Sequence, residues 1–131
     1  MKLGDVTIDP HANRQNWAAI TVTDMSPPGR SAGLRDILIT ATGYLQNTGM
    51  RWKSGAEDSV GSDWGEAPSL VEGIPATITL PGGLSEAKAW ALDGRGHRTV
   101  SLEGTRTGKG TVIEIGPRYR TLWYEVEMGG D

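Results

Sequence analysis

Cysteine and phenylalanine are both absent from this chain of 131 residues. Without cysteine, neither a disulfide framework nor a thiolate zinc site is available. Phe is the ordinary aromatic residue of protein cores, whereas the five Trp and three Tyr present here combine an apolar ring with a polar edge. Such rings are favoured where one side meets a wet surface, so the composition directs attention to the tryptophans.

The chain also lacks long apolar runs and a strong charge of either sign. No stretch reaches the length of a membrane-spanning helix, and the start, MKLGDVTIDPHANRQN, contains no apolar signal-peptide core. Thirteen Lys and Arg against sixteen Asp and Glu give a net charge of -3, and the basic residues are scattered. These features argue against a nucleic-acid or membrane partner and favour a neutral or weakly charged ligand.

Glycine, by contrast, is abundant, with 19 residues that separate short β-type runs. No convincing helical pattern is present, and most of the runs alternate with a period of two. The runs cover residues 5–9, 17–24, 36–42, 75–80, 86–92, 98–102, 111–115 and 120–127. We predict an all-β protein with one domain over residues 1–131, an antiparallel β-sandwich of about eight or nine strands, and a barrel as the alternative.

Residues 43–70 form the one long segment without clear alternation. Long loops in compact domains are usually functional or packed as compact surface loops. Asp58 and Asp63 within it carry the oxygen ligands that a cation such as calcium prefers, but the EF-hand pattern is absent. We therefore predict no metal site.

None of the motifs associated with catalysis is complete. GTRTGKGT, residues 104–111, lacks the first glycine of a phosphate-binding loop and the Ser or Thr after its lysine, so we interpret it as a hairpin turn. Ser59 and Ser62 lie near acids, but the nucleophile-elbow spacing is missing, and only His11 and His97 are available as a base. A catalytic triad is therefore not predicted.

The acids on predicted strands raise the question of glycoside cleavage, which needs two carboxyl groups flanking a bond. Glu114, Glu125 and Glu127 lie on such strands. Their alternation places them on outer faces, where nothing in the sequence supplies the apolar enclosure that raises the pKa of a general acid. We interpret them as solvated surface charge. A small hydrolase is kept as an alternative interpretation of the chain.

Three tryptophans are out of phase with the apolar residues of their strands. In AKAWALD, residues 87–93, the alanines are predicted to face the core, which places Trp90 in water on the side of Lys88. Trp123 and Trp17 are likewise out of phase with the apolar sets at 122, 124 and 126 and at 18, 20 and 22. The structural alternatives are a loop that covers the second face, a bulge that changes the register, or packing of these rings against one another.

A sugar chain is the most economical ligand for such rings. A pyranose has an apolar face of C–H groups that lies on an indole, and a rim of hydroxyls that polar side chains bind. Trp52 and Trp64, in the long segment, are candidates both for anchoring that segment and for binding. The predicted carbohydrate-binding residues are Trp90, Trp17, Trp52, Trp123, Trp64, Lys88 and Glu125, with no catalytic residue and no cofactor.

The chain also resembles a known domain type. The motifs are ILITATGYLQNTGMRW, SVGSDWGEAPSLVEGIPATITL, AWALDGRGHR and IGPRYRTLWYEV, and the similarity covers roughly residues 17–127. They resemble the C-terminal β-sandwich domain behind the catalytic barrel of large bacterial glycoside hydrolases. As a separate piece, the chain resembles the family 81 carbohydrate-binding module of an endoglucanase, which binds β-glucan.

This resemblance implies a noncatalytic module that binds cello-oligosaccharides, mixed-linkage β-glucan or xyloglucan. It also implies an extracellular location within a secreted parent enzyme, with the catalytic domain of that enzyme as a partner. The main alternative is a structural β-sandwich that packs on a catalytic domain and binds no ligand of its own.

Overall fold

Twelve strands and one short 3₁₀ helix make up the regular structure in the computed structural model, which describes residues 1–29, 34–53, 55, 57–81 and 86–129. The strands are β1 (Lys2–Leu3), β2 (Val6–Pro10), β3 (Ala19–Asp24), β4 (Arg35–Thr42), β5 (Leu45–Thr48), β6 (Glu66–Val71), β7 (Ala76–Pro81), β8 (Glu86–Leu92), β9 (Arg98–Leu102), β10 (Gly104–Thr107), β11 (Gly110–Ile115) and β12 (Trp123–Gly129). The 3₁₀ helix is Pro117–Tyr119.

These strands form two five-stranded sheets and a two-stranded ribbon. Sheet A has the order β1-β2-β7-β11-β10, and sheet B has the order β3-β4-β12-β8-β9. Strands β5 and β6 pair with each other as the ribbon. Every pairing is antiparallel, as the predicted fold class requires.

The inner faces of sheets A and B share one hydrophobic core. Alternation creates these faces: every second residue of β4 from Ile37 onward is buried, and the same holds for β7. Sheet A contributes Ile8, Ala76, Ile78, Leu80, Ile113 and Ile115, and sheet B contributes Ile37, Ile39, Ala41, Ala89, Ala91, Leu102, Tyr124, Val126 and Met128. The predicted all-β, sandwich-like fold is confirmed, and the barrel alternative is wrong, because each sheet ends in edge strands and does not close on itself.

The predicted number of strands is too low. The described residues contain four further strands, β1, β5, β6 and β10. Two of them lie in the segment 43–70, which the sequence analysis treated as a loop; residues 54 and 56 of that segment lie outside the described residues. Strand β6 is exposed along its whole length and β5 spans only four residues, so neither has the inside-outside alternation on which the prediction depended.

Two smaller predictions concern the ends of strands. The interpretation of residues 104–111 as a hairpin is confirmed, because β10 and β11 pair from Gly104 opposite Ile113 to Thr107 opposite Gly110. The start of β3 was predicted too early, since that strand begins at Ala19 and Trp17 precedes it.

Tyr124 fixes the beginning of β12 from the core side. Its side chain is buried, and its hydroxyl accepts a hydrogen bond from the Gly116 N–H at 3.3 Å and donates toward the Gly116 carbonyl at 3.2 Å. The ring also packs edge-to-face against Tyr119, with centroids 5.9 Å apart. These contacts hold the turn after β11 against β12, and thereby orient the outward residue Trp123.

Replacing Tyr124 by Phe should therefore destabilise the fold. The change leaves the buried Gly116 N–H without its partner, and we expect a loss of about 1–2 kcal/mol in the free energy of unfolding, measured by urea denaturation followed by circular dichroism. Tyr119→Phe is the matched control, because the Tyr119 hydroxyl accepts an exposed hydrogen bond from Arg118. Equal stability of the two variants would contradict the role given to Tyr124.

Candidate functional site

The outer face of sheet B gathers most of the side chains that the sequence analysis singled out. Glu125 on β12 lies opposite Trp90 on β8, and Glu127 lies opposite Lys88. Residues two apart along a strand point to the same side, so Trp123 shares this outer face with the other four. The prediction that Trp90 and Trp123 point away from the core is confirmed, because Ala89, Ala91, Tyr124 and Val126, their neighbours along the strands, are buried.

The two tryptophans are close enough to contact one ligand. Trp123 lies two residues from Glu125, the partner of Trp90, and such diagonal neighbours on adjacent strands are about 7–8 Å apart. The Trp123 side chain is 45% exposed, whereas Trp90 is half-buried. Trp123 therefore offers the more open ring.

Arg98 covers the ring of Trp90. Its guanidinium carbon lies 3.8 Å from the centroid of the indole, in a cation–π contact. The same guanidinium donates from Nε and Nη2 to the two carboxylate oxygens of Glu125, at 2.8 and 2.9 Å, and from Nη2 to Glu127. We call Trp90, Arg98, Glu125 and Glu127 the Arg98 cluster.

A tight hairpin before β9 places Arg98 at this point. The Asp93 carboxylate accepts the backbone N–H groups of Arg95 and His97, at 2.8 and 2.9 Å, and these bonds hold the pKa of Asp93 below its usual value. Gly96 has a φ of 84°, a left-handed conformation that glycine adopts without strain. Arg98 is the first residue of β9, and its side chain reaches across β8 to the acids of β12.

The Arg98 cluster pairs one guanidinium with two carboxylates. The hydrogen bonds that Glu125 accepts from Arg98 lower the pKa of its carboxyl, and the bonds that Arg98 donates to Glu125 and Glu127 raise the pKa of Arg98. The Glu125 carboxylate and the Arg98 guanidinium are therefore both charged at neutral pH. A general acid in glycoside cleavage needs the opposite change, a raised pKa, so Glu125 is poorly suited to that role.

A groove of about 330 Å³ lies beside the Arg98 cluster on the same face. Its lining includes Met25, Leu38, Leu92, Gly96 and Glu125. Glu125, whose partner on β4 is Leu38, lines the groove and also belongs to the Arg98 cluster. The groove thus combines an apolar floor with a charged edge, the composition expected of a site for small amphipathic ligands.

Two of the predicted residues lie at the margins of this face. Lys88 is exposed and lies opposite Glu127, two residues from Trp90. Lys88 lies on the side of β8 that was predicted for it, and a second cation, Arg98, stacks on the ring of Trp90. Trp17, 57% exposed, lies two residues before the start of β3, and its backbone N–H is bound by the Asn13 side chain.

Trp52 and Trp64 belong to a different part of the molecule. The Trp52 side chain is half-buried, and its indole N–H donates to the Tyr44 hydroxyl at 2.9 Å, so this ring anchors the segment around the ribbon. Trp64 is 63% exposed, and its carbonyl accepts from the Asn47 side chain on β5. Both residues lie outside the strands of sheet B.

The histidines do not form a catalytic arrangement with the serines considered above. His11 Nε2 lies 2.9 Å from the Thr77 hydroxyl, which in turn donates to Glu114 at 2.7 Å. A nucleophile triad needs the histidine between the hydroxyl and the acid, whereas here the hydroxyl lies in the middle. His97 contacts Asp93 in the hairpin, away from Ser59 and Ser62 in the chain.

The acids of the long segment are also not gathered around a cation site. Asp63 lies 3.9 Å from Arg51. Across the described residues, no three His, Asp or Glu side chains come together in a way that would hold a metal ion.

A second depression, of about 440 Å³, lies at one end of the sandwich. It lies between the segment Val71–Gly73 and the residues around the 3₁₀ helix, with Arg120 at its wall. None of the predicted binding residues lines it. The outer face of sheet B is therefore the candidate functional site.

Sequence reasoning missed three residues of this site, Arg98, Leu38 and Met25. A strand register was needed to find them, because Leu38 meets Glu125 only through the pairing of β4 with β12. One local signal for Arg98 was present: it follows the Gly-rich turn that returns the chain alongside Trp90.

Comparison with protein families, with curated proteins and with solved structures finds no match for this chain. In the described part of the chain, no helix has the length and apolar character needed to cross a bilayer. The function is therefore argued from the geometry of the site.

The charge state of Glu125 makes stability depend on pH. Because the folded-state pKa of Glu125 is lowered, its contribution is present above the unfolded-state pKa, about 4.3, and is lost as the pH falls through the lower folded-state value. We expect wild type to lose more stability than Glu125→Gln between about pH 5 and pH 2, measured by urea denaturation at each pH. Glu103→Gln, an exposed glutamate between β9 and β10, should behave like wild type; identical pH profiles for all three proteins would contradict the assignment.

Proposed function

We propose that the outer face of sheet B binds β-glucan chains, and that the protein is a noncatalytic carbohydrate-binding module. The observation that carries the proposal is the placement of Trp90 and Trp123 on adjacent strands of one outward face, beside an open groove. Cello-oligosaccharides, mixed-linkage β-glucan and xyloglucan share the alternation of C–H faces and hydroxyl rims that such rings bind.

The exposed area supports a modest affinity. A Trp side chain buries about 150–250 Å² in all, so covering one open ring face removes roughly 100 Å² from water, worth about 2–3 kcal/mol. One such contact on Trp123 together with hydrogen bonds from the polar side chains around it, less the cost of ordering the chain, corresponds to a dissociation constant on the order of 1 mM. An affinity in that range is enough to hold a polymer near an attached enzyme.

The polar groups around the rings support the same ligand class. Glu125 and Glu127 offer carboxylate oxygens and Arg98 offers N–H groups, while Lys88 lies on the same face. Sugar hydroxyls both donate and accept hydrogen bonds, so a surface with both kinds of partner suits them. The proposal includes an extracellular parent enzyme whose catalytic domain acts on the bound polymer.

Trp123→Ala should weaken glucan binding more than any other single tryptophan substitution. The open ring of Trp123 lies next to the groove strands, and its loss should raise the dissociation constant for cellohexaose about tenfold or more, measured by isothermal titration calorimetry. Trp90→Ala should also weaken binding, because it removes the ring on which Arg98 stacks. Both variants should keep the wild-type unfolding midpoint within a few degrees.

Trp64→Ala is the matched control, since it removes an exposed ring outside sheet B. Its affinity should equal that of wild type. If no β-glucan produced heat with the wild-type protein or retarded it in an affinity gel, the proposal would fail. If Trp64→Ala alone lost binding, the site would lie at the ribbon.

A structural role on a catalytic domain is the second candidate, and the ribbon favours it. Leu45 and Leu70 on its two strands are exposed, as is Trp64 between them in sequence. Exposed apolar side chains in one small element are typical of an interface with another domain. This role predicts that the isolated protein self-associates, and that Leu45→Asp with Leu70→Asp restores a monomer in analytical ultracentrifugation without changing glucan affinity.

A further inference from the structure

We propose that the depression of about 440 Å³ at one end of the sandwich is a second binding site, whose ligand is a carboxylate carried on a compact six-membered ring. Arg120, at its wall, is the residue that binds the carboxylate. None of the predicted glucan-binding residues lines the depression, so the proposal goes beyond glucan binding and does not depend on it.

The depression has the size and the composition of a small-molecule site. Pockets that bind such ligands have volumes of about 300–1,000 Å³, mostly apolar walls and a few polar groups. Val71 and Leu122 supply aliphatic side chains, and Pro117 of the 3₁₀ helix supplies its ring. The other described lining residues are Gly73, Arg120 and Thr121. These walls can therefore cover the C–H groups of a ligand, while Arg120 provides a charge.

Arg120 is available to a ligand. Its side chain is exposed, and its guanidinium forms neither an ion pair nor a hydrogen bond with the described residues. Arg98, by contrast, donates to two carboxylates. None of the described residues that line the depression is acidic. A guanidinium without a partner presents a planar fork of N–H donors, which matches the two oxygens of a carboxylate.

The backbone of Arg120 is a second, independent observation. Arg120 ends the 3₁₀ helix with a φ of 53° and a ψ of 37°, a left-handed conformation. Glycine is the usual residue at such a helix end, because a Cβ there crowds the following carbonyl oxygen. The arginine side chain therefore carries a steric cost at this position, and residues held in such conformations are concentrated at functional sites.

The walls beside Arg120 are fixed by contacts within the protein. The Thr121 hydroxyl donates to the Leu92 carbonyl at 2.5 Å and accepts the backbone N–H of Trp123 at 3.1 Å. A Cβ added to Gly73 would lie 3.0 Å from the Pro117 Cα, so the two backbones meet closely because Gly73 has no side chain. A site formed in advance loses less conformational freedom on binding, which favours affinity for a small ligand.

The charge of Arg120 and the aliphatic walls together define the ligand class. A unit charge about 4 Å from a ligand carboxylate raises affinity about fivefold in a water-like medium. A six-membered ring presents the compact C–H surface that Val71, Leu122 and Pro117 can cover. Two sources share this chemistry, a uronic acid unit of a polysaccharide and a small cyclic carboxylic acid.

Matched pairs of charged and neutral ligands test the proposal on the full chain. Methyl glucuronide and methyl glucoside share a pyranose ring and differ in the carboxylate, while cyclohexanecarboxylate and cyclohexanecarboxamide form a second pair. We expect the backbone N–H signals of Gly73 and Arg120 to shift in heteronuclear NMR titrations with at least one carboxylate. At about 0.01 M ionic strength, its affinity should exceed that of its neutral counterpart about fivefold or more.

Two substitutions at Arg120 separate its charge from its backbone conformation. Arg120→Gln removes the charge, so the ratio of the two affinities should fall toward one. Arg120→Gly also relieves the left-handed backbone, so it should lose the preference while its unfolding midpoint in urea stays close to or above that of wild type. Arg118→Gln is the matched control, since Arg118 lies on the same 3₁₀ helix but stacks on Tyr119 and does not line the depression. Its ratio should be that of wild type.

The pair that shows the preference identifies the source of the ligand. A preference within the sugar pair supports a uronic acid unit, and one within the cyclohexane pair supports a small ring acid. The proposal is overturned if charged and neutral partners bind equally, or if none of the four ligands shifts the signals of Gly73 and Arg120. An unchanged ratio in Arg120→Gln, or an equal loss in Arg118→Gln, also overturns it. Titration with cellohexaose tests the outer face of sheet B separately, so either site can fail alone.

Discussion

The pleat of sheet B is the constraint on which the rest of the structure depends. On β8 and β12, every second residue must close the core against sheet A, and Ala89, Ala91, Tyr124 and Val126 fill those positions. The intervening residues must therefore point to the outer face of sheet B, because the side chains of a strand alternate with a period of two. Trp90, Trp123, Glu125 and Glu127 are outward because their neighbours are inward, and the pairing of β8 with β12 brings them together.

The Arg98 cluster changes what the outward tryptophans are. A bare indole on a sheet would be a flat apolar surface, but the ring of Trp90 is covered by a guanidinium that two acids hold in place. The ring of Trp123, two residues from Glu125 along β12, stays exposed. The face therefore contains two different aromatic positions, one open and apolar and one charged at its edge.

The sequence was sufficient for the fold class and for the phase of the long strands, because both are carried by alternation. The alanines beside Trp90 and the apolar residues beside Trp123 each predicted their buried side correctly. The ribbon was missed, since β6 is exposed throughout and so has no alternation to detect. Arg98 was missed for another reason: its partners on β12 lie 27 and 29 positions away in the chain, and only the order β12-β8-β9 brings them within reach.

The alternation of core and surface residues along β8 has a consequence for how such a protein can change over evolutionary time. The residues that shape the core and the residues that shape the outer face are interleaved along the same strand, yet they belong to separate packing environments. Substitution at an outward position leaves the inward neighbours in contact with sheet A. A lineage can therefore replace the chemistry of the face one residue at a time on an unchanged scaffold, and the same property makes β8 and β12 natural positions for a designed library of binding surfaces.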